Sequence, residues 1–127
     1  MRRASGLSTT QKGAQGEDAA ASYLEAKGWT VLARNFRTRF GEIDIIARHG
    51  DQVAFVEVKS WVSVPREDLG RSVGPRKRFR IARAARLFMG RRPDLADAHL
   101  RFDLVFLGGP ETGIEHIAGA FNEEGID

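Results

Sequence analysis

Polar and hydrophobic residues alternate with the two-residue period of β-strands in several short segments, and a hydrophobic stripe with helical spacing occurs twice. The alternation predicts five strands, at residues 29–35, 42–48, 52–59, 100–107 and 113–117. Helices are predicted at residues 9–27 and 75–89, because Gly28 and Gly90 are typical of helix ends and Pro75 of a helix start. This order of elements indicates an α/β protein, of the α+β type with a mixed sheet.

The length and composition limit the kind of protein further. A chain of 127 residues that is 42% hydrophobic has room for one core, so we expect a loose tail at residues 1–8 and a single domain at residues 9–127. The chain has no cysteine, which excludes disulfides and thiolate zinc sites. It also has no apolar run of about 18 residues and no secretion signal, so we expect a soluble cytoplasmic protein.

Two strands that should form a hairpin carry acids and a lysine where buried strands are usually apolar. A two-residue loop at residues 50–51 would place Asp44 directly opposite Glu57, and a loop at residues 49–50 would place them diagonally. In both cases Asp44, Glu57 and Lys59 project from one face of the hairpin. A three-residue loop would instead send Glu57 to the far face.

Opposed carboxylates destabilise a sheet unless positive charge lies between them. A divalent cation would supply that charge, and hard oxygen ligands suit Mg²⁺ or Mn²⁺. The alternative interpretation is that Asp44, Glu57 and Lys59 form ordinary salt bridges on a solvated strand face, where such pairs contribute only about 0–1 kcal/mol.

Two charged residues lie on the hydrophobic faces of the predicted helices. Glu17 precedes Leu24 by seven positions and shares its stripe, so it either compensates the helix dipole or is a third acid directed at the hairpin acids. Lys77 lies four and eight positions before Ile81 and Ala85, which places it to reach the same site.

Charge is distributed unevenly along the chain. The net charge is +3, but residues 59–92 carry +9 and the remainder −6. This asymmetry favours nucleic acid as the partner over a membrane surface, because the apolar face of the second helix is rich in alanine and weak for lipid insertion. Trp61 is interpreted either as a core residue or as a base-stacking aromatic. The candidate contacts to the phosphate backbone of the nucleic acid are Arg76, Arg80, Arg83, Arg37 and Arg39.

The sequence of elements, with an inward glutamate, then Asp44, then Glu57-Val58-Lys59, resembles the PD-(D/E)XK nucleases. A longer set of residues closely resembles the bacterial YraN family over about residues 13–122. That family is similar to archaeal Holliday-junction resolvases. The resemblance implies a restriction-endonuclease-like three-layer α/β/α core, with a mixed sheet of about five strands and two main flanking helices. The residues that carry it are Gly16-Glu17-Asp18, Leu24, Gly28-Trp29, Arg34-Asn35-Phe36-Arg37, Gly41-Glu42-Ile43-Asp44-Ile45-Ile46, Phe55-Val56-Glu57-Val58-Lys59, Lys77, Arg101-Phe102-Asp103 and Ile114-Glu115-His116-Ile117.

The resemblance also implies a ligand set for Mg²⁺ or Mn²⁺. Asp44 and Glu57 would hold the ion together with the backbone carbonyl of Val58. Glu17 would bind it through water or help to place a second ion. Glu42, on the same face as Asp44, is an accessory ligand in this interpretation.

The remaining roles that the resemblance implies belong to cations. Lys59 would help to activate the attacking water, and Lys77 would contact the scissile phosphate. Ile43 replaces the proline of the PD element, which leaves the chemistry unchanged because the aspartate carries it. Trp61 stands where the YraN pattern usually has an arginine, so an expected phosphate contact is missing there.

We therefore expect a metal-dependent nuclease of the PD-(D/E)XK type that hydrolyses phosphodiester bonds, with branched or structured DNA as substrate. A homodimer is implied by analogy with the resolvases, which cut two strands symmetrically. The alternative is a nucleic-acid-binding module that keeps the endonuclease-like fold without catalysis.

Overall fold

The computed structural model describes residues 9–60, 74–108 and 113–121, and it describes the side chains of the first of these segments for residues 16–59. Two α-helices, one turn of 3-10 helix and five strands make up this part of the chain. In chain order the elements are α1 (Thr9–Ala26), β1 (Thr30–Arg37), β2 (Glu42–His49), β3 (Gln52–Ser60), α2 (Pro75–Gly90), the 3-10 turn (Pro93–Leu95), β4 (His99–Leu107) and β5 (Ile114–Phe121).

The five strands form one mixed sheet in the order β1-β2-β3-β4-β5. Neighbouring strands are antiparallel except for β3 and β4, which run parallel and are joined through α2. A parallel pair needs such a crossover, because a tight turn cannot bring the chain back to the same end of the sheet.

Side chains of the central strands alternate between two hydrophobic clusters, one on each face of the sheet. One face packs on α1 through Ala20, Ala21 and Leu24, and the other packs on α2 and the 3-10 turn. The protein is therefore a three-layer α/β/α sandwich with a five-stranded mixed sheet, which confirms the fold class predicted from the sequence. On the α1 face the strands contribute Ile45, Ala47, Ala54, Val56 and Val105.

Local sequence signals fix the C-terminal end of α1 and the N-terminal end of α2. At the end of α1 the N–H of Gly28 donates to Glu25 O (3.0 Å) and that of Trp29 to Leu24 O (3.0 Å). This Schellman arrangement needs a left-handed residue, and Gly28 supplies it with φ of 97°. Helix α2 starts with Pro75 after Gly74, whose carbonyl accepts from the N–H of Arg78 (3.0 Å).

The α2 face of the sheet is aromatic. The ring of Phe88 meets those of Phe36 and Phe55 edge-on, with centroids 5.3 and 6.1 Å apart. Truncating such a buried ring to alanine typically costs about 3–5 kcal/mol. The ring of Phe121 stacks on Phe102 at 5.0 Å, so this cluster holds α2 and the end of β5 against one face.

Strand β5 is longer than the sequence pattern predicts. The prediction ended it at residue 117, whereas it continues to Phe121. Gly119, with φ of 60°, and a register shift between Phe102 and Leu104 interrupt the alternation, which hides the last four residues from a period-two search. The predicted tail at residues 1–8 lies outside the described residues.

Candidate active site

The loop between β2 and β3 decides whether the two acids can meet. The strand pairs run from His49–Gln52 to Ile45–Val56, so the connection is the two-residue turn of Gly50 and Asp51. Gly50 has φ of 62°, as such a turn requires. Extending this register by one step beyond the ladder places Asp44 opposite Glu57. The two-residue turn at residues 50–51 is the first of the three loop alternatives.

Asp44 lies beside the end of the β2–β3 ladder and is half-buried. Its Oδ2 accepts a hydrogen bond from the backbone N–H of Val58 at 2.8 Å. Burial and the negative charge of Glu57 nevertheless raise the pKa of the Asp44 carboxyl to about 7, against an ordinary 3.8, with smaller contributions from Glu17 and Glu42. This carboxyl therefore keeps its proton to a much higher pH than an ordinary aspartate does.

Glu57 is buried, with 7% of its surface exposed, and two lysines face it. The ammonium group of Lys77, on α2, donates a hydrogen bond to Glu57 Oε2. Lys59 Nζ lies 3.7 Å from the same oxygen. Burial alone would lower the pKa of Lys77, but its hydrogen bond and ion pair with Glu57 outweigh that effect and raise it. Lys77 thus reaches the hairpin acids, as its position on the helix indicated.

Glu17 approaches the site from α1, on the opposite face of the sheet. The helix comes close to β4 at Gly16, where a Cβ would lie 2.8 Å from Leu107 Cδ1. The charge of Glu17 acts on Asp44, but its own nearest cation is Arg34, whose Nη2 lies 4.0 Å from Glu17 Oε1. Among the residues that the structure describes, no three acidic or histidine side chains converge to hold a metal ion by themselves. Asp44 and Glu57 therefore form the core of the site, and Glu17 acts on it through its charge.

An open cavity of about 320 Å³ lies in front of the two acids. It is large enough for a hydrated cation and a phosphate group, because one water occupies about 30 Å³ in the liquid. Glu42 lines the cavity but also pairs with Arg37 at 3.2 Å. The cavity is lined by Gly41, Glu42, Asp44, Glu57, Lys77, Arg80 and Ile81.

The chemistry of this donor set fits Mg²⁺ or Mn²⁺. Two carboxylates that open onto solvent match the way Mg²⁺ is bound, through one or two carboxylates while water and substrate phosphates complete the octahedron. Burial and the charge of Glu57 raise the pKa of Asp44, and a divalent cation between the two carboxylates would oppose that shift.

Comparison of the amino-acid sequence with known proteins identifies a family. The profile of the uncharacterised protein family UPF0102 matches residues 16–107, a range that contains all of the acids and lysines described above. The chain belongs to this family, the YraN family. UPF0102 proteins of Rhodopseudomonas palustris and Azorhizobium caulinodans are 41% and 43% identical to it, covering 91% and 90% of this chain and 87% and 85% of their own. One from Myxococcus xanthus is 38% identical over 96% of this chain and 98% of its own.

Of the five arginines predicted to contact the nucleic-acid backbone, one lines the cavity of this UPF0102 chain and four do not. Arg80 lines the cavity, and Arg76 and Arg83 are exposed on α2. Arg37 is the last residue of β1 and Arg39 lies in the turn between β1 and β2, and both are exposed as well. Trp61, the predicted accessory aromatic, lies outside the described residues.

Asn35 belongs to the UPF0102 site region, although the sequence interpretation assigned it no role there. In the register of β1 with β2 it falls opposite Asp44. Among the described residues it is the one non-glycine with a positive φ, 52°. Asparagine tolerates this left-handed conformation better than most residues, and an asparagine inside a predicted strand is a signal that could have indicated it.

A second buried acid of the UPF0102 chain lies on the α1 face. Asp103 is fully buried; its Oδ2 is bonded by Arg101 (3.0 Å) and by His116 (2.7 Å), and its Oδ1 accepts from the N–H of Gly119 (2.9 Å). Burial alone would raise the pKa of Asp103, but these hydrogen bonds hold it below its ordinary value. Its hydrogen-bond capacity is filled from within the fold, so this network ties β4 to β5.

Neither described helix of the UPF0102 chain combines the length and apolar character that crossing a lipid bilayer requires.

Proposed function

We propose that this UPF0102 protein is a metal-dependent nuclease that hydrolyses phosphodiester bonds of branched or structured DNA. The observation that carries the proposal is that Asp44 and Glu57 line one open cavity together with Lys77 and Arg80. The β2–β3 register, extended by one step, places the two acids opposite each other. A fold alone does not specify an activity. Two opposed acids destabilise a sheet, however, so their presence in this hairpin indicates a function rather than a structural role. The preference for branched DNA rests on the resemblance to junction resolvases.

Asp44 and Glu57 would hold Mg²⁺ or Mn²⁺, with the Val58 carbonyl as a further ligand and Glu17 acting through water. When bound, such an ion lowers the pKa of a coordinated water and offsets charge that develops on the phosphate. Asp44 must give up its proton before it can serve as a ligand, which makes occupancy of the site dependent on pH.

The protein's cations have separate tasks in this proposal. Lys59, beside Glu57, would hold the attacking water by a hydrogen bond and stabilise its deprotonated form. Lys77 neutralises Glu57 in the free protein and would contact the scissile phosphate together with Arg80. Backbone contacts by arginines on α2 and in the β1–β2 turn would position the substrate without reading its sequence.

A second candidate function, a nucleic-acid-binding module without catalysis, is favoured by one observation. Lys77 already neutralises Glu57, and no three acidic or histidine side chains of the described residues converge on one metal position. Calorimetric titration with Mn²⁺ separates the two functions. Binding that disappears in both Asp44→Asn and Glu57→Gln supports the nuclease, and no binding to the unaltered protein supports the module.

Cleavage assays test the proposal directly. The full-length protein is incubated in Mn²⁺ with labelled four-way junctions, flaps, nicked duplexes, plain duplexes and single strands. We expect cleavage of a branched substrate that Asp44→Asn and Lys59→Ala each reduce by about a hundredfold or more. The exposed Asp97 supplies a matched control, because Asp97→Asn removes the same charge away from the cavity. Cleavage retained by Asp44→Asn, or no cleavage of any substrate, would overturn the proposal.

A further inference from the structure

The outward stripe of α2 contains an aromatic ring among arginines. Arg76, Phe79, Arg80 and Arg83 follow the spacing i, i+3, i+4, i+7 and therefore share one face of the helix. Phe79 is 45% exposed and is the one large hydrophobic side chain of the described residues that is exposed to this extent. The buried face of α2 points elsewhere, through Ile81, Ala82, Ala84, Ala85 and Phe88.

A second aromatic ring stands next to this stripe. The guanidinium carbon of Arg83 lies 4.4 Å from the ring centroid of Phe40 and 5.4 Å from that of Phe79. The guanidinium of Arg39 lies 5.0 Å from the Phe40 ring. Two phenyl rings and two arginines thus form a connected surface, here called the Phe79 platform, which consists of Arg39, Phe40, Phe79 and Arg83.

The platform is held in place before any ligand binds. The hydroxyl of Thr38 accepts hydrogen bonds from the N–H groups of Phe40 (3.0 Å) and Gly41 (3.2 Å), which fixes the turn that carries Phe40. A Cβ on Gly41 would lie 3.4 Å from Arg80 Cβ, so this turn also touches α2. Gly41 and Arg80 both line the cavity of the two acids, and the platform therefore adjoins that cavity.

We infer that the Phe79 platform binds unpaired nucleotides by stacking, so that the substrate is a nucleic acid with a single-stranded segment beside the bond to be cut. This inference rests on the proposed function for the meaning of the cavity, but binding at the platform needs no catalysis. Every base has a π-face, so stacking on phenylalanine and arginine tolerates any sequence.

The charges around the platform select a polyanionic ligand. The salt bridges among the described residues engage other cations, so the guanidinium groups of Arg76, Arg80 and Arg83 are not matched by a described carboxylate. Paired duplex bases would not expose a face to Phe79, whereas an unpaired strand offers both a base and its phosphate. The cations in those salt bridges are Arg34, Arg37, Lys59, Lys77, Arg92, His99, Arg101 and His116.

The test measures binding in EDTA, where no cleavage can occur. Fluorescence anisotropy gives the affinity of the full chain for a labelled dT oligomer, a rU oligomer of equal length and a blunt DNA duplex. Phe79→Ala and Phe79→Leu should weaken single-strand binding about tenfold, whereas Phe79→Trp should retain it, because a stacked base contributes about 1–3 kcal/mol. Duplex affinity should change less than twofold in all three variants.

Arg76→Ala is the matched control for charge alone. It should weaken single-strand and duplex binding by similar factors and reduce the salt dependence of both by about one phosphate contact. A single strand that contains 2-aminopurine reports stacking itself: its fluorescence should fall on binding to the unaltered protein and to Phe79→Trp, but not on binding to Phe79→Leu.

The outcomes separate this inference from the proposed function. Binding of dT, rU or both with the Phe79 dependence above supports the platform and identifies the sugar that it accepts. Equal losses on duplex and single strand, unchanged affinity in Phe79→Ala, or no single-strand binding overturns it. Asp97→Asn, which lies outside the cavity lining, should bind in EDTA like the unaltered protein. No cleavage of any substrate together with an intact Phe79 effect in EDTA would overturn the nuclease and leave the platform standing.

Discussion

Replacing Asp44 by asparagine is expected to stabilise the folded protein in the absence of metal. The change removes the carboxyl that faces buried Glu57, but the amide oxygen of asparagine can still accept the hydrogen bond that the N–H of Val58 donates at 2.8 Å. The amide nitrogen is a donor that suits a neighbouring carboxylate. Asp44, which is proposed to be essential for catalysis, should therefore make the folded protein less stable than asparagine does at the same position, as expected where function and stability conflict.

The size of the effect follows from the pKa of Asp44, which burial and Glu57 raise from 3.8 to about 7. At about 1.4 kcal/mol for each pH unit between the folded and unfolded values, ionised Asp44 costs the fold at most about 4 kcal/mol. Water access to a half-buried group and relaxation of its neighbours reduce this figure, so we expect a gain of about 1–3 kcal/mol at pH 8.

The pH dependence gives the sharper test. A carboxyl whose pKa is raised in the folded state stabilises the fold fully below its unfolded value of 3.8, and this contribution is lost as the pH rises towards 7. The free energy of unfolding of Asp44→Asn, minus that of the unaltered protein, should therefore be near zero at pH 3.5. It should grow between pH 4 and pH 7 and remain constant above that range.

Urea denaturation in EDTA, followed by far-ultraviolet circular dichroism across that pH range, measures the difference. The control variant Asp97→Asn should stay within about 0.5 kcal/mol of the unaltered protein, since its carboxylate is exposed. Equal or lower stability of Asp44→Asn at pH 8, or a difference that does not change with pH, would refute the reasoning.

Three further predictions concern the site and its surroundings. Mn²⁺ binding should release a proton from Asp44 below pH 7, so the affinity for Mn²⁺ should increase up to tenfold for each unit by which the pH rises towards 7. Calorimetry in two buffers of different ionisation enthalpy measures the released proton, and an affinity that does not depend on pH would contradict this prediction. Asn35→Ala should cost about 1 kcal/mol of stability and Asn35→Gly much less, because φ is 52° there; equal losses in denaturant would exclude backbone strain as the cause. Asp103→Asn should cost about 2–4 kcal/mol at neutral pH, because it breaks a buried charged network. Since the pKa of Asp103 is lowered in the fold, that loss should shrink as the pH falls below about 4, and a constant loss would argue against it.

Much of this fold could be predicted from alternation and helix-end signals alone. Both helices begin and end within one residue of the predicted positions, and the signals of Gly28 and Pro75 act on their immediate neighbours. Gly90 is instead the last residue of α2, and Arg91 is its C-cap. The end of β5 was missed for the opposite reason. Its last residues are held by stacking of Phe121 on Phe102, a contact between distant segments that leaves no local pattern.

The site divides in the same way. The pattern of β2 and β3 predicted that Asp44 and Glu57 would share a face if the loop had an even number of residues, and the helical spacing of Lys77 predicted that it would point inward. Sequence could not distinguish direct from diagonal opposition, because both loops satisfy the alternation. It also gave no reason to connect Phe40 with Phe79, since only the packing of the β1–β2 turn on α2 brings both rings to Arg83.

The sequence by itself determined which residues have the chemistry of this site, since carboxylates, lysines and arginines keep their charge preferences wherever they lie. It also determined the local elements, because a period of two or 3.6 residues depends only on near neighbours. The tertiary structure alone decided the two-residue turn between β2 and β3, the ion pair of Glu57 with Lys77 from another layer, and the pairing of Glu17 with Arg34. These depend on register and layer packing, where shifts of a few ångströms change burial and Coulomb energy and so change the pKa of a carboxyl.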